Sequence, residues 1–448
     1  MAGLLVAVAI ELSCGDVFRP IAIPSNPHPP DPESLHFALV VADNGPDVCP
    51  PQPPLPPGAP CDDSAHPSTS SRIDVSGDTN VGTATVGLGP VHAGLTPSGS
   101  QAFVVNKLED TVSSYPTSTA TTVNTISLPL GSQPVFAHTT ESGNVYIANS
   151  GNDTVSVIST SRNVVTRTIA VGSRPVALAE TPDAKKLYAV NQGDGTVTVI
   201  NTVDGSITAP PLAVGASPAW AAARSDSAFV YVLSPGNQIA VINTLTDLVS
   251  DTVPVPNANF AFYDKTLNRI YLTTSDRKLL ILNVASATPV ALGSVDLSID
   301  PTGGSNPPCP AACVLDSVTA LPDGSRAYVA SHEIVGTCTV PDLQSCTTTT
   351  RVTIVKTPQN NVLSTITTQS GIPKMAFCDQ LTVRRYIAAA ADSSRVYVTN
   401  CDAGGTDIIR TSNDSFVLDL PGPVSSLPTI PTQSFPPPQR PIFVVPGR

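Results

Sequence analysis

Five stretches of this chain are variations on one another, and their spacing limits the fold more than any other feature. "AFVVNKLEDTVSSY" begins at Ala102, "VYIANSGNDTVSVI" at Val145, "LYAVNQGDGTVTVI" at Leu187, "VYVLSPGNQIAVI" at Val230 and "IYLTTSDRKLLIL" at Ile270. Phe103, Tyr146, Tyr188, Tyr231 and Tyr271 hold the same place in them, at steps of 43, 42, 43 and 40 residues. A fixed period of this size signals a repeat architecture. Further copies stand at Tyr328 and Tyr397, after steps of 57 and 69, and an early degenerate copy is "FALVVADNG" at Phe37.

One unit, residues 134–172, parses into four short strands: "PVFAHTT", "NVYIAN", "DTVSVIS" and "NVVTRTIAVG". The turns "ESG", "SGN" and "TSRN" separate them, and apolar and polar residues alternate within them. A single four-stranded sheet cannot bury both of its faces, but such sheets packed face to face in a ring can. The reading is therefore all-β: a β-propeller of four-stranded antiparallel blades. The aromatic on each second strand is expected to pack between blades. The Asn that follows it is expected to close the next turn, by a side-chain hydrogen bond or by taking a left-handed backbone.

Eight copies of the second strand predict eight blades. No opening strand precedes the copy at Phe37, and "PIFVVPG", Pro441–Gly447, is the segment that can supply it and join the chain ends. Seven blades is the alternative, if the Phe37 segment and the tail only decorate the ring. The expected division is a leader over 1–14, a Pro-rich tether over 15–34, the propeller over 35–424, and a Pro-rich tail over 425–448 carrying the closing strand.

"VYVTN" at Val396–Asn400, with "YIANSGNDTVSVI" and "YAVNQGDGTVTVI", resembles the YVTN family of β-propeller repeats, known from surface-layer proteins and YncE-like periplasmic proteins. The resemblance spans residues 37–424 and is cleanest over 90–255. It implies a propeller fold and leaves function open, since many activities share that fold.

The chain opens "MAGLLVAVAI" and continues "ELSCG". An apolar run of this length is too short to span a bilayer and reads as the core of a secretory leader. The small residue before Cys14 resembles the lipobox of bacterial lipoproteins, which implies lipidation of Cys14; an ordinary secretory signal is the alternative. Of nine cysteines, eight then remain, an even number, as expected for an exported protein with disulfides. Closeness in sequence suggests Cys49–Cys61, Cys309–Cys313, Cys338–Cys346 and Cys378–Cys401. The longer repeat steps are where cysteines fall, so stapled insertions explain the broken period.

Chemistry-bearing patterns are sparse. With 23 Lys and Arg against 35 Asp and Glu, the net charge is −12; a nucleic-acid binder would show a basic stripe, and none is expected here. His92 and His138 lie on first strands, near the channel. If their registers match, spacings of 11 and 8 residues to the following aromatic put them on opposite faces. His332, Glu333 and Cys338 are the nearest approach to a metal cluster. "GDGT" and "GNDT" read as hairpin turns, not calcium loops. Quinone-dependent propeller dehydrogenases carry a tryptophan-based blade motif, and this chain has only Trp220, expected to pack. A lactonase-like hydrolase needs a channel cluster; Arg174 and Arg224 lie near first strands without forming one by spacing. The expectation is a monomeric, exported, lipid-anchored binding scaffold facing a protein or envelope component, with no cofactor, metal or catalytic residue assigned. A periplasmic hydrolase or oxidoreductase is the alternative.

Overall fold

A computed structural model describes residues 37–43, 67–140, 142–304, 307–336, 346–374, 378, 381, 383–421 and 440–447. The Cys14 segment, the tether, the Cys49–Cys61 loop and Cys338 lie outside these residues. Eight sheets of four antiparallel strands, and no α-helix among the described residues, form the ring. Blade 1 combines the two chain ends: Pro441–Pro446 is its innermost strand, followed outward by Phe37–Ala42, Thr69–Asp74 and Thr79–Thr85. Blades 2 to 8 follow in chain order, over 90–127, 134–170, 175–213, 220–254, 258–296, 313–373 and 387–421. The unit parsed from sequence is blade 3, with strands Pro134–Thr139, Asn144–Asn149, Thr154–Ser159 and Val164–Ala170.

Closure joins the two chain ends. Val444 pairs with Val40 and Phe443 with Val41. At the two ends of the pairing, Gly447 N donates to Phe37 O (2.7 Å) and Asp43 N to Arg440 O (3.0 Å).

The core is divided among the blade interfaces. Between blades 3 and 4, Tyr146, Ala148 and Val155 pack on Leu178, Leu187 and Ala189. Between blades 4 and 5, Tyr188, Val190 and Val199 pack on Val230, Val232 and Ile242. The repeated tyrosines are at most 1% exposed. Blade 1 differs in register from the sequence alignment. Phe37 pairs with Asp74, the last residue of its third strand, just as Asn144 pairs with Ser159 in blade 3. Leu39, not Phe37, therefore takes the tyrosine's place, and Phe37 lies two residues before it.

The position two residues before the tyrosine has its own task. Lys186 and Tyr188 of blade 4 both reach blade 5: Lys186 Nζ donates to Thr244 O and Asp247 Oδ2, each at 2.7 Å, and Tyr188 Oη to Asp247 Oδ1 at 3.0 Å. Arg326 and Tyr328 of blade 7 hold Asp414 of blade 8, at 2.6 and 2.5 Å. Arg395 of blade 8 grips Asp78 of blade 1 with two bonds, 2.7 and 3.0 Å. Asp247, Asp414 and Asp78 are left-handed turn residues (φ 52°, 51°, 50°) between third and fourth strands, so one small acidic residue both makes the turn and accepts the bond. Where this position is phenylalanine, an arginine from elsewhere replaces it. Arg72 lies over Phe37 (4.8 Å) and donates to Thr117 O of blade 2 (3.1 Å). Arg224 lies over Phe229 (4.5 Å) and donates to Val284 O of blade 6 (3.0 Å).

The asparagine after the aromatic acts by side-chain bonding. Asn106, Asn149 and Asn191 each donate through Nδ2 to two hydroxyls of the third strand, at 2.8–3.0 Å. The left-handed residue of these turns is instead Asp110, Asp153 or Gly195.

Removing residues 440–448 exposes the innermost edge of blade 1, and is expected to abolish the single cooperative transition in urea; an unchanged midpoint would refute ring closure. Arg326→Met strands Asp414 with one donor fewer, and is expected to cost about 2 kcal/mol in the same assay.

Candidate functional site at the ring centre

Eight innermost strands meet at the centre, and their side chains decide whether a channel remains. His92, Phe136, Trp220, Phe260, Tyr386 and Phe443 stand at one level, each opposite the residue two past the blade's aromatic position. Their rings meet. His92 lies 4.1 Å from Phe136 and 4.3 Å from Phe443, and Tyr386 lies 4.4 Å from Phe443. Phe260 of blade 6 touches Tyr386 of blade 8 edge-on at 6.1 Å, across the place of blade 7. These contacts follow one another around the ring rather than across it, and His92, Phe136, Trp220, Phe260 and Tyr386 each stay partly exposed, so the layer lines the centre. Trp220 packs against the apolar core between blades 5 and 6.

His92 is neutral in this layer. Ala137 N donates to its Nδ1 (3.3 Å), and burial, reinforced by His138, pushes its pKa down to about 3. His138 is different. It lies one layer along, lines a cleft of about 250 Å³ with Gly94, Leu95, Thr139, Val445 and Pro446, and is 30% exposed. Its Nε2 faces Glu180 Oε2 of blade 4 at 3.7 Å, and the Glu180 side chain is only 9% exposed. His92 pairs with Val105 and His138 with Tyr146. Both histidines therefore lie on the same face of their blades, not on opposite faces. The first turn of blade 2 is one residue longer than that of blade 3, which turns a spacing difference of three into a register difference of two.

The other polar concentration lies between blades 7 and 8. The Arg385 side chain is fully buried and donates to Asp402 Oδ2 (2.7 Å) and Thr350 Oγ1 (2.9 Å). Arg384 makes two bonds to the same carboxylate, 2.9 and 2.5 Å. Two buried guanidiniums are tolerable only because Asp402 and nearby hydroxyls satisfy them. The Cys378–Cys401 disulfide closes beside this knot, and Cys309–Cys313 closes where blade 6 leads into blade 7. Cys346 is disulfide-bonded as well. The second, third and fourth strands of blade 7, Arg326–Gly336, Cys346–Lys356 and Asn361–Pro373, run 11, 11 and 13 residues. Six or seven is usual elsewhere in the ring, so this blade projects beyond it.

His332 and Glu333 separate. His332 Nδ1 meets Asp316 (2.8 Å) and Glu333 meets Arg351 (2.6 Å), as adjacent strand residues facing opposite sides must. Among the described residues no three metal-binding side chains gather. Arg174 is an exposed left-handed turn residue, and Arg224 is spent on blade 6. The "GNDT" and "GDGT" carboxylates accept backbone amides, Asp153 from Arg174 and Asp194 from Ser173. Glu180, Arg384 and Arg385 escaped the sequence reading. The one visible signal was an adjacent arginine pair in a chain with 13% charged residues.

No family model matches the chain, and no curated protein matches it. Solved structures do. Dihydro-heme d1 dehydrogenase NirN in complex with DHE aligns over 89% of this chain and 76% of its own, at 11% identity and a TM-score of 0.60. Hydrazine synthase of Kuenenia stuttgartiensis aligns over 74% of this chain and 86% of its own, at 16% identity and a TM-score of 0.49. The chain is thus an eight-bladed β-propeller, similar in fold to the first of these.

Asp407 and Asp419 pair across the third and fourth strands of blade 8. Asp407 is held by Thr368 (2.6 Å), Gln369 (3.1 Å) and Asn400 (3.4 Å). Asp419 Oδ1 is buried without a hydrogen-bond partner among the described residues. Burial, with the charge of Asp407, pushes Asp419 from 3.8 up to about 7. The folded state then holds this proton more tightly than the unfolded chain does. Stability is fullest at and below pH ~4 and declines as pH rises to ~7. Tm is expected to fall between pH 5 and 7.5 in the wild type and to fall less in Asp419→Asn; equal slopes would refute the pairing.

Proposed function

We propose that this protein is an exported binding ring, held at the cell envelope through lipidated Cys14. The observation that carries the binding reading is the aromatic lining of the ring centre by His92, Phe136, Phe260, Tyr386 and Phe443. It lines the centre with rings at the level where a catalytic propeller would gather ionisable groups. Recognition then falls to the ring's faces, and the blade 7 extension is the largest departure from eightfold regularity. Loops and projections on a rigid scaffold are suited to that task. Export is supported by the disulfides Cys309–Cys313 and Cys378–Cys401, which persist in oxidising compartments.

A second reading, a hydrolase or oxidoreductase, has one observation in its favour: the His138–Glu180 pair beside an open cleft. The dehydrogenase among the structural neighbours shares the fold at 11% identity, which lends that reading a scaffold and no residues.

The ring used as bait on native envelope is expected to retain a specific component, and to lose it when residues 334–348 are replaced by a two-residue turn. Turnover of a lactone or ester panel, abolished by His138→Ala, would install the enzymatic reading instead. Mass spectrometry of the mature N-terminus is expected to find a diacylated Cys14; an unmodified Cys14 would refute the anchor.

A further inference from the structure

Recognition at the ring's faces leaves the centre itself without an assigned task. His92, Phe136, Trp220, Phe260 and Tyr386 each keep part of their surface exposed there. Their planes turn from blade to blade, by 31°, 37° and 47° between neighbours and by 82° between Phe260 and Tyr386. Rings that stand along the axis of an eight-bladed ring turn in this way; rings laid flat over the opening would be parallel. Exposure continues in the layer beyond, at His138, Ala222, Phe262 and Val445. The centre is therefore a lined passage at least two layers deep.

Two features narrow what such a passage can hold. The first is its lack of charge. Neither layer carries a Lys, Arg, Asp or Glu. Asp316 and Arg385, which precede Ser317 and Tyr386 of the aromatic layer, are already paired, with His332 and Asp402. Burial pushes the Tyr386 phenol up to about 12, as it pushes His92 down to about 3, so both are neutral at pH 7. An ion entering this passage would give up hydration and gain no countercharge. An uncharged aromatic ring would gain edge and offset contacts with the lining.

The second feature is a pair of donors. Ala137 N–H occupies His92 Nδ1, so the neutral imidazole carries its proton on Nε2. His92 Nε2 and Tyr386 Oη make no hydrogen bond among the described residues, and neither is fully buried. The two rings flank Phe443, at 4.3 and 4.4 Å. An apolar, ring-lined site with a few polar groups set into it is the usual form of a small-molecule site, and donors in such a lining call for an acceptor on the ligand.

Beyond recognition at the faces, we propose that the ring centre binds an uncharged aromatic compound bearing a carbonyl or similar acceptor: its ring packs within the aromatic layer, and its oxygen accepts from His92 Nε2–H or Tyr386 Oη–H.

The test uses the whole protein at pH 7.5 and follows the fluorine NMR signal of three probes. 4-Fluoroacetophenone is expected to bind saturably. 4-Fluorotoluene, which lacks the acceptor, is expected to bind about tenfold more weakly, the worth of one hydrogen bond. 4-Fluorobenzoate is expected not to bind. The double variant His92→Phe with Tyr386→Phe keeps both rings and removes both donors. With an unchanged Tm, it is expected to bring 4-fluoroacetophenone down to the level of 4-fluorotoluene, and the single variants show which donor is used. Equal binding of the ketone and 4-fluorotoluene, a preference for the benzoate, or an undiminished ketone in the double variant would overturn the site. Should the double variant not fold, the Tyr386 ring resonances of the wild type decide: they must shift saturably with the ketone, and constant resonances overturn the site. Envelope capture is a separate measurement, so loss of this site leaves the binding reading of the faces standing.

Discussion

Everything in this molecule depends on the pairing of Pro441–Pro446 with Phe37–Ala42. Each blade is a sheet with two apolar faces, and only a neighbour on each side can cover both. A ring satisfies that demand for every blade at once, provided it closes. Here closure rests on one antiparallel pairing between segments some four hundred residues apart. The loop-closure entropy is large in principle but grows only logarithmically with length. A strand's worth of backbone hydrogen bonds, with Val444 and Phe443 buried by the closed ring, is sufficient to offset it.

Within the closed ring, apolar packing and polar bonding divide the work. Tyrosine rings and branched aliphatics fill the blade interfaces, and that burial supplies most of the driving force. The hydroxyls and cations at the same positions add direction. A tyrosine oxygen reaching Asp247, or a guanidinium on Asp78, is satisfied only when the next blade sits in one register. Blades 7 and 8 add to this scheme. Beside an apolar core that includes Tyr328, Val352, Val396 and Val398, their interface carries the arginine pair, Asp402, Asp407 and a disulfide, a knot of charge-assisted bonds. The longest repeat step, from Tyr328 to Tyr397, falls here, so the insertion that lengthened blade 7 comes with an additional way of holding its neighbour.

The repeat made most of this legible. Period, turn residues and the buried aromatic gave four strands per blade, and the missing opening strand pointed to the C-terminus. What the sequence misplaced turns on single residues. Phe37 was aligned with the tyrosines because it is the aromatic of its segment; its register places Leu39 there and gives Phe37 to Arg72. His92 and His138 were assigned faces from spacing, and one extra residue in the turn after Leu95 altered that parity. Asn106 and its kin could have served their turns in two ways, and only the hydroxyls at Thr111 and Ser113 distinguish them. The Glu180–His138 approach joins residues of different blades, and the period alone does not reveal which side chains the ring brings face to face.

The bonds from Lys186, Arg326 and Arg395 all run the same way, from a second strand to the turn of the following blade. The ring is therefore not a set of interchangeable tiles. Every blade wears a lock on one side and a key on the other, cut for particular neighbours. Blades could be copied or dropped during descent only where lock and key still fit across the new junction. The threonines Thr202, Thr244, Thr357 and Thr411, each bonded to the turn of its own blade, are the common part of the key. The acidic residue beside it is the part that differs.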